Sequence, residues 1–377
     1  MKIPLFKIYW DEEDIKAVNE VIRSGMYWCV GKQIEELERR ICEYLGVKYC
    51  VVFNSGGSAL HALMLAYKFK PGDEIIVPSF TFIATAYAPL YVGAKPVFAD
   101  IEEETFGLDP EDVKEKISKK TKTIIPIHYG GMPCKIEELK DIAEDHNIVL
   151  IEDAAESFGA RFKDQFVGTF GDSAIFSFCH NKVFTTSEGG CAVTDDKKIY
   201  ERLKLIRSYG KVVSKDNLNN TTQEDYIEIG YNLRMSTILA ALGISQLKKV
   251  NRTIDMRRYN AEYLNKRLKK IKHIKVPEPP STDYYPVYQM YTIRVLEGGE
   301  TRNKLMKFLG DKGIATKIYF EPLHNYTVFR NLGYSNIELP KTEKLSSQVL
   351  TLPIYPHMTE EELNYIVDSV YEFFKEG

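Results

Sequence analysis

Apolar positions along this chain change period repeatedly, and the changes outline its elements. Ile15, Val18, Val21 and Ile22 recur at helical spacing, and Ser24-Gly25 ends that run. A second amphipathic helix is predicted from about Lys32 to Tyr44, stopped by Gly46. A strand, Tyr49 to Phe53, then passes at once into Asn54-Ser55-Gly56-Gly57-Ser58 and a helical run through Leu60, Leu63, Met64 and Ala66. Strands follow at Glu74 to Val77, Lys95 to Phe98, Thr123 to Ile127 and Ile148 to Glu152. Between them come helices from about Ala84, from Pro110 to Ile117 and from Lys135 to Asp145. Two more apolar runs, Ser173 to Phe178 and Cys191 to Val193, bracket a polar turn. Units of this length predict an α/β fold with a mostly parallel sheet and helices on both faces. In such sheets ligands gather beyond the carboxyl ends of the strands.

The second half reads differently. A helix from about Lys197 to Ser208 is followed by polar Ser214 to Asp225, whose lack of periodicity predicts a surface loop. Gly230 to Ser236 leads into an Ala- and Leu-rich helix to Leu247, then a long polar helix, Asn251 to Ile271, whose Lys/Arg-rich end is a solvated face. After the Pro-rich Val276 to Pro286, apolar runs at Tyr291 to Val295, Ile314 to Ile318 and Val349 to Leu352 alternate with helices near Thr301 to Leu309 and Thr359 to Phe374. They predict a smaller α/β domain. A length of 377 residues exceeds what one core usually fills, so the expected division is residues 1–248 and 249–377.

Charge and cysteine usage narrow the function. A net charge of -3 gives no basic footprint, so nucleic acid is not an expected partner. The six cysteines include no Cys-x-x-Cys pair, and no His cluster stands at metal-ligand spacing, so reduced thiols and no metal are expected. No apolar run approaches the ~20 residues of a membrane helix, and the start resembles no signal peptide, which points to the cytoplasm.

The polar turn after Phe178 holds Lys182, and a lysine between two buried strands asks for an explanation. If it lies inside, its charge is costly and its pKa should fall, or its nitrogen has formed an imine; a loop lysine can equally snorkel to the surface. The Ser55 to Ser58 turn, at a strand-to-helix junction, is a ready anion site, although small-residue turns are also plain punctuation. Asp153, after the strand ending at Glu152, reads by itself as a helix N-cap. Together they suggest more. A phosphate cradle, an aromatic (Phe82) to cover a flat ring, a carboxylate at a strand end and a lysine are what pyridoxal 5′-phosphate (PLP) needs.

At these residues the chain resembles the DegT/DnrJ/EryC1/StrS family of PLP-dependent nucleotide-sugar aminotransferases, of the fold-type I superfamily. The likeness runs through Ser24-Gly25, Ser55 to Leu60, Pro78 to Phe82, Ile151 to Ala155, Gly168 to Gly171, the lysine stretch, Gly230 to Ser236 and Leu352 to Pro356. The resemblance implies Lys182 as Schiff-base lysine, Asp153 against the pyridine nitrogen, Phe82 over the ring, and Gly56, Gly57, Ser58 and Ser177 at the phosphate. It implies Asn232 reaching the phosphate of a neighbouring subunit, hence a homodimer with shared sites. Glu156 stands where many members carry Gln or His and is similar to the perosamine-synthase branch that aminates C4. Tyr319 and His324 resemble a substrate-facing loop, or simply pack the small domain. The family's Ser-Gly-Thr is Ser-Gly-Gly here, and Cys179-His180 replace its usual pair before the lysine. Some relatives carry His for the lysine and dehydrate sugars; the retained lysine favours transamination. The implied reaction moves an amino group from L-glutamate to a nucleotide-linked keto-deoxysugar, most simply a 4-keto-6-deoxyhexose, in polysaccharide biosynthesis. The alternatives are a 3-keto-sugar aminotransferase, a PLP-dependent sugar dehydratase, and a non-catalytic regulatory protein of the same fold. The sequence leaves the nucleotide, the sugar and the pathway open.

Overall fold

The computed structural model describes residues 1–216 and 221–376. Seven strands form the main sheet: β1 (Tyr49–Phe53), β2 (Glu74–Pro78), β3 (Lys95–Ala99), β4 (Thr121–Ile124), β5 (Val149–Asp153), β6 (Ser173–Ser177) and β7 (Gly190–Thr194). Their spatial order is β1-β7-β6-β5-β4-β2-β3. All pairings are parallel except those of β7, which runs antiparallel to both β1 and β6. Strands β1, β2, β6 and β7 are almost wholly buried and largely apolar, as expected where helices cover both faces. Helices α1 (Glu12–Arg23), α2 (Lys32–Leu45), α3 (Gly56–Ala66) and α4 (Ala84–Tyr91) begin within a residue or so of the positions expected from the sequence. So do α5 (Pro110–Lys116), α6 (Ile136–Asp145), α7 (Lys197–Arg207), α8 (Thr237–Lys248) and α9 (Val250–Leu268).

Packing explains which helix faces are buried. Helix α3 is almost uniformly small and apolar and lies against α4, α7 and the β1-β7-β6 side of the sheet, so it has no polar face to show. On the opposite face, Leu37, Ile41 and Leu45 of α2 pack with Phe158, Phe176, Phe178 and Phe184. A separate core forms around a three-stranded sheet of Ile274–Lys275, Tyr291–Val295 and Val349–Leu352, covered by α9, α10 (Gly299–Asp311) and the last helix, Glu360–Glu376. Ile3 belongs to that core, so the N-terminal segment crosses to the C-terminal region.

Three expectations fail. The polar stretch Ser214 to Asp225 is no loop: Lys211–Asp216 pairs antiparallel with Thr221–Tyr226, all six residues of each in register. Thr, Val and Tyr suit a two-stranded ribbon that is polar on both sides, and such a ribbon leaves no apolar alternation to read. Residues 217–220 of that stretch lie outside the described residues. The run Ile314 to Ile318 makes only isolated bridges, Ile3 to Ile314 and Lys317 to Thr351. The strand expected at Thr123 to Ile127 is instead β4, ending at Ile124, because Pro126 cannot extend the ladder and Ile127 makes only a single bridge to Asp153.

Candidate active site

The carboxyl ends of β1, β2, β5 and β6 converge, and each contributes polar groups. After β1, Ser55 caps α3: its Oγ accepts the Ser58 N–H at 3.0 Å and its hydroxyl donates to Ser58 Oγ at 3.0 Å. The Gly56 and Gly57 N–H groups remain at the positive end of the helix dipole. Gly56 must be glycine because a Cβ there would come within 2.9 Å of the Ser177 Cβ. That closeness brings the α3 N-terminus against the end of β6. At Gly57 an added Cβ would meet nothing nearer than 3.8 Å, so the helix end is not closed over on that side.

Asp153 ends β5, buried. Its Oδ2 accepts the Thr85 hydroxyl at 2.7 Å and its Oδ1 the Ala155 N–H at 3.2 Å, while Thr85 meets Thr81 Oγ1 at 2.9 Å. Burial pushes its pKa up; the Thr85 and Ala155 hydrogen bonds oppose this, as does the positive charge of Lys182, while the negative charge of Glu156 reinforces it. Thr85 escaped the sequence reading. It stands one residue into α4, three after Phe82, and only the packing of α4 on the strand ends shows its contact.

Lys182 is 14% exposed, so it neither snorkels freely nor is sealed in. Its backbone N–H donates to the Cys179 carbonyl at 2.9 Å, closing a turn, and its Nζ reaches Glu156 Oε1 at 3.5 Å. Glu156 Oε2 accepts the Gly130 N–H at 2.9 Å, which fixes the carboxylate beside the lysine. Gln289 donates to the carbonyl of Asn181 at 2.6 Å and steadies the turn from the C-terminal side. The structure thus brings together Gly56, Ser58, Ser177, Asp153, Glu156 and Lys182.

Four further expected residues have other surroundings. Phe82 is 62% exposed at the start of α4. Asn232 is exposed, in the segment before α8, and its backbone bridges Ser208. Tyr319 lines a small cavity with Asn181 and Gln289, and its carbonyl accepts the Tyr129 hydroxyl. His324 is 3% exposed and packed: Ser79 Oγ accepts its backbone N–H at 3.2 Å and stands 2.8 Å from its Nδ1. Its Nε2 faces Glu343 Oε1 at 3.4 Å. Burial holds its pKa low.

One buried carboxylate next door does something else. Glu152 points to the opposite face of β5 and accepts Gly168 N–H at 2.6 Å, Phe170 and Gly171 N–H at 2.7 Å each, and His128 Nε2 at 2.9 Å. His128 Nδ1 accepts the Cys134 N–H at 3.1 Å, so its hydrogen is on Nε2 and it donates to Glu152. Gly168 adopts φ +86, and a Cβ there would strike Phe176 at 2.4 Å. The 168–171 loop is therefore a carboxylate clamp.

The site fits PLP on these observations: helix N-terminal amides beside a serine, a buried carboxylate that among the described residues has no cation in hydrogen-bonding contact, and a lysine held by a second carboxylate. The match to known proteins agrees. Residues 9–371 match the model of the DegT/DnrJ/EryC1/StrS aminotransferase family. The chain is 34% identical over 374 residues to a GDP-perosamine synthase of Escherichia coli O157:H7, covering 99% of both chains. Its fold superposes on Helicobacter pylori PseC, an aminotransferase of pseudoaminic acid biosynthesis, with a TM-score of 0.94 at 29% identity over 100% of each chain. It superposes on the PLP-form of a sugar aminotransferase, Spr1654, from Streptococcus pneumoniae with a TM-score of 0.93 at 27% identity, covering 100% of this chain and 99% of that one. The chain belongs to the DegT/DnrJ/EryC1/StrS aminotransferase family and is a PLP-dependent sugar aminotransferase.

Proposed function

We propose that this enzyme moves the amino group of L-glutamate to the keto carbon of a nucleotide-linked 4-keto-6-deoxyhexose, with Lys182 as the amine that anchors the cofactor. The observation that carries this reading is the placement of Lys182 Nζ, 3.5 Å from Glu156 Oε1, at the same strand ends as the buried Asp153. When bound, PLP supplies the electron sink that makes the α-proton of an amino acid removable. The Gly56, Gly57 and Ser58 amides and the Ser177 hydroxyl would hold its phosphate, and Phe82 would cover its ring. Asp153, buried and hydrogen-bonded by Thr85, would keep the pyridine nitrogen protonated: a carboxylate that burial makes eager for a proton is well matched to a pyridinium N–H. Glu156 orients the lysine, whose amine would carry the proton taken from the amino donor. The 4-keto choice rests on Glu156 and on likeness to the perosamine synthase.

A second copy of the chain completes the site in this reading, with Asn232 reaching the partner's phosphate. Tyr27, Trp28, Val30, Tyr226, Ile227 and Ile229 are all exposed. Hydrogen bonds from Thr237 N–H to the Trp28 carbonyl and from Gly31 N–H to Thr237 Oγ1 tie the first three to the start of α8, close in sequence to the others. So much exposed apolar surface suits a partner subunit.

Borohydride reduction of the PLP-loaded enzyme, followed by peptide mass mapping, should place the cofactor mass on Lys182; a label on another lysine overturns the assignment. Incubation with L-glutamate and keto-sugar nucleotides should release 2-oxoglutarate stoichiometrically with a 4-amino sugar, whereas a 3-amino or deoxygenated product would establish one of the alternatives. Mixing inactive Lys182→Ala with Asn232→Ala should restore part of the activity through mixed dimers with one intact shared site, and no restoration would remove the shared-site reading.

A further inference from the structure

The turn that carries Lys182 is closed at its base by backbone. Phe178 N–H donates to the Gly189 carbonyl and Thr186 N–H to the Phe178 carbonyl, each at 2.9 Å. This closure brings together three side chains that the aminotransferase reading leaves unused. Cys179 Sγ lies 3.3 Å from His180 Nδ1 and 3.8 Å from Glu188 Oε1, and all three donor atoms fall within 4.8 Å of one another. Around a tetrahedral zinc ion, bond lengths of about 2.0–2.3 Å separate neighbouring ligand atoms by roughly 3.3–3.7 Å. Two of the present separations are already near that spacing. A thiolate, an imidazole and a carboxylate are donors for a borderline ion, not for Mg²⁺ or Ca²⁺, which take oxygen cages. His180 and Glu188 are exposed, so an ion has a path in and water can take the fourth position. Among the described residues this is the one group of three ligating side chains so arranged.

We propose that Cys179, His180 and Glu188 form a site for one divalent ion of the zinc class, which staples together the two ends of the Lys182 turn. An adjacent Cys-His pair with a Glu eight residues beyond the His matches no familiar ligand spacing, which is why the chain gives no linear sign of it.

Titration of the full-length, PLP-loaded protein with Co²⁺ tests this through the visible bands of tetrahedral cobalt, at wavelengths longer than PLP absorbs. One equivalent should bind at micromolar concentration and be displaced by Zn²⁺. Cys179→Ser should weaken binding at least about 100-fold, and Glu188→Gln about 10-fold, at the strong and weak ends of what perturbing a metal site costs. Cys29→Ser, which removes the exposed thiol elsewhere, should change nothing. No tetrahedral spectrum, or one that survives Cys179→Ser at full strength, overturns the proposal. A circular-dichroism spectrum like that of wild type keeps a misfolded variant from mimicking the loss. Failure here leaves the cofactor assignment untouched, since borohydride labelling reads that separately.

Discussion

Glu152 and Asp153 are neighbours on β5, both buried, and they serve opposite ends. Successive strand residues face opposite sides of a sheet, so one carboxylate enters the 168–171 clamp and the other the ligand side. Glu152 receives four N–H donors. Asp153 receives two, and its pKa is raised chiefly by burial. The difference teaches how to tell a structural carboxylate from a chemical one. A fully partnered group locks a loop, while a buried group with capacity to spare is waiting for a ligand's proton.

The largest expected effect tests the locked side. Glu152→Ala strips the acceptor from three amides and His128 and should cost about 3–5 kcal/mol of stability, the scale of breaking a buried charged network. Thermal or urea unfolding reads it, and a loss under about 1 kcal/mol would break the comparison. On the other side, Asp153→Asn should lower turnover at least roughly a hundredfold, the scale of losing one preorganised electrostatic partner. The ligand-free variant should be no less stable than wild type at neutral pH. For an acid whose folded-state pKa is raised, the folded protein keeps its proton over a window where the unfolded chain has released it. Stability therefore falls as pH rises through that window, which opens at the ordinary value of 3.8 and extends upward. Asn removes that loss, so a markedly less stable Asp153→Asn protein at pH 7 would contradict the assignment.

Smaller effects sharpen the contrast. Thr85→Val deletes the hydrogen bond that holds the Asp153 pKa down. The acid limb of the pH–rate profile should move upward and turnover drop about tenfold, the rate equivalent of one lost hydrogen bond of about 1.4 kcal/mol. An unmoved acid limb would mean that Thr85 only packs. Phe82→Ala should weaken PLP binding by about 0.5–1.5 kcal/mol, the worth of a ring pair. Because Phe82 is exposed, folding stability should stay within about 0.5 kcal/mol, which denaturant melts without PLP would check.

Much of this was legible in the chain. The strand-to-helix switches at Phe53 and Ser55, the run into Asp153 and the polar turn around Lys182 are local patterns, fixed by period and turn chemistry, and each falls at a carboxyl strand end as expected. The ribbon of residues 211–216 and 221–226 was not legible, because a polar strand pair has no apolar period to betray it. His324 shows a different limit: its sequence setting resembles a substrate loop, yet the fold packs the ring against Ser79.

By itself, then, the sequence determined the layered α/β plan, the residues at the strand ends and, through its resemblance, the cofactor class. Those features are written in spacings of two, three or four residues, within reach of one element. Only the tertiary structure decided that Thr85 braces Asp153, that Gly168 to Gly171 clamp Glu152, and that Cys179, His180 and Glu188 meet. Each of these joins residues from separate elements or opposite ends of a turn, and such distances close only when the chain has paid its conformational entropy and packed.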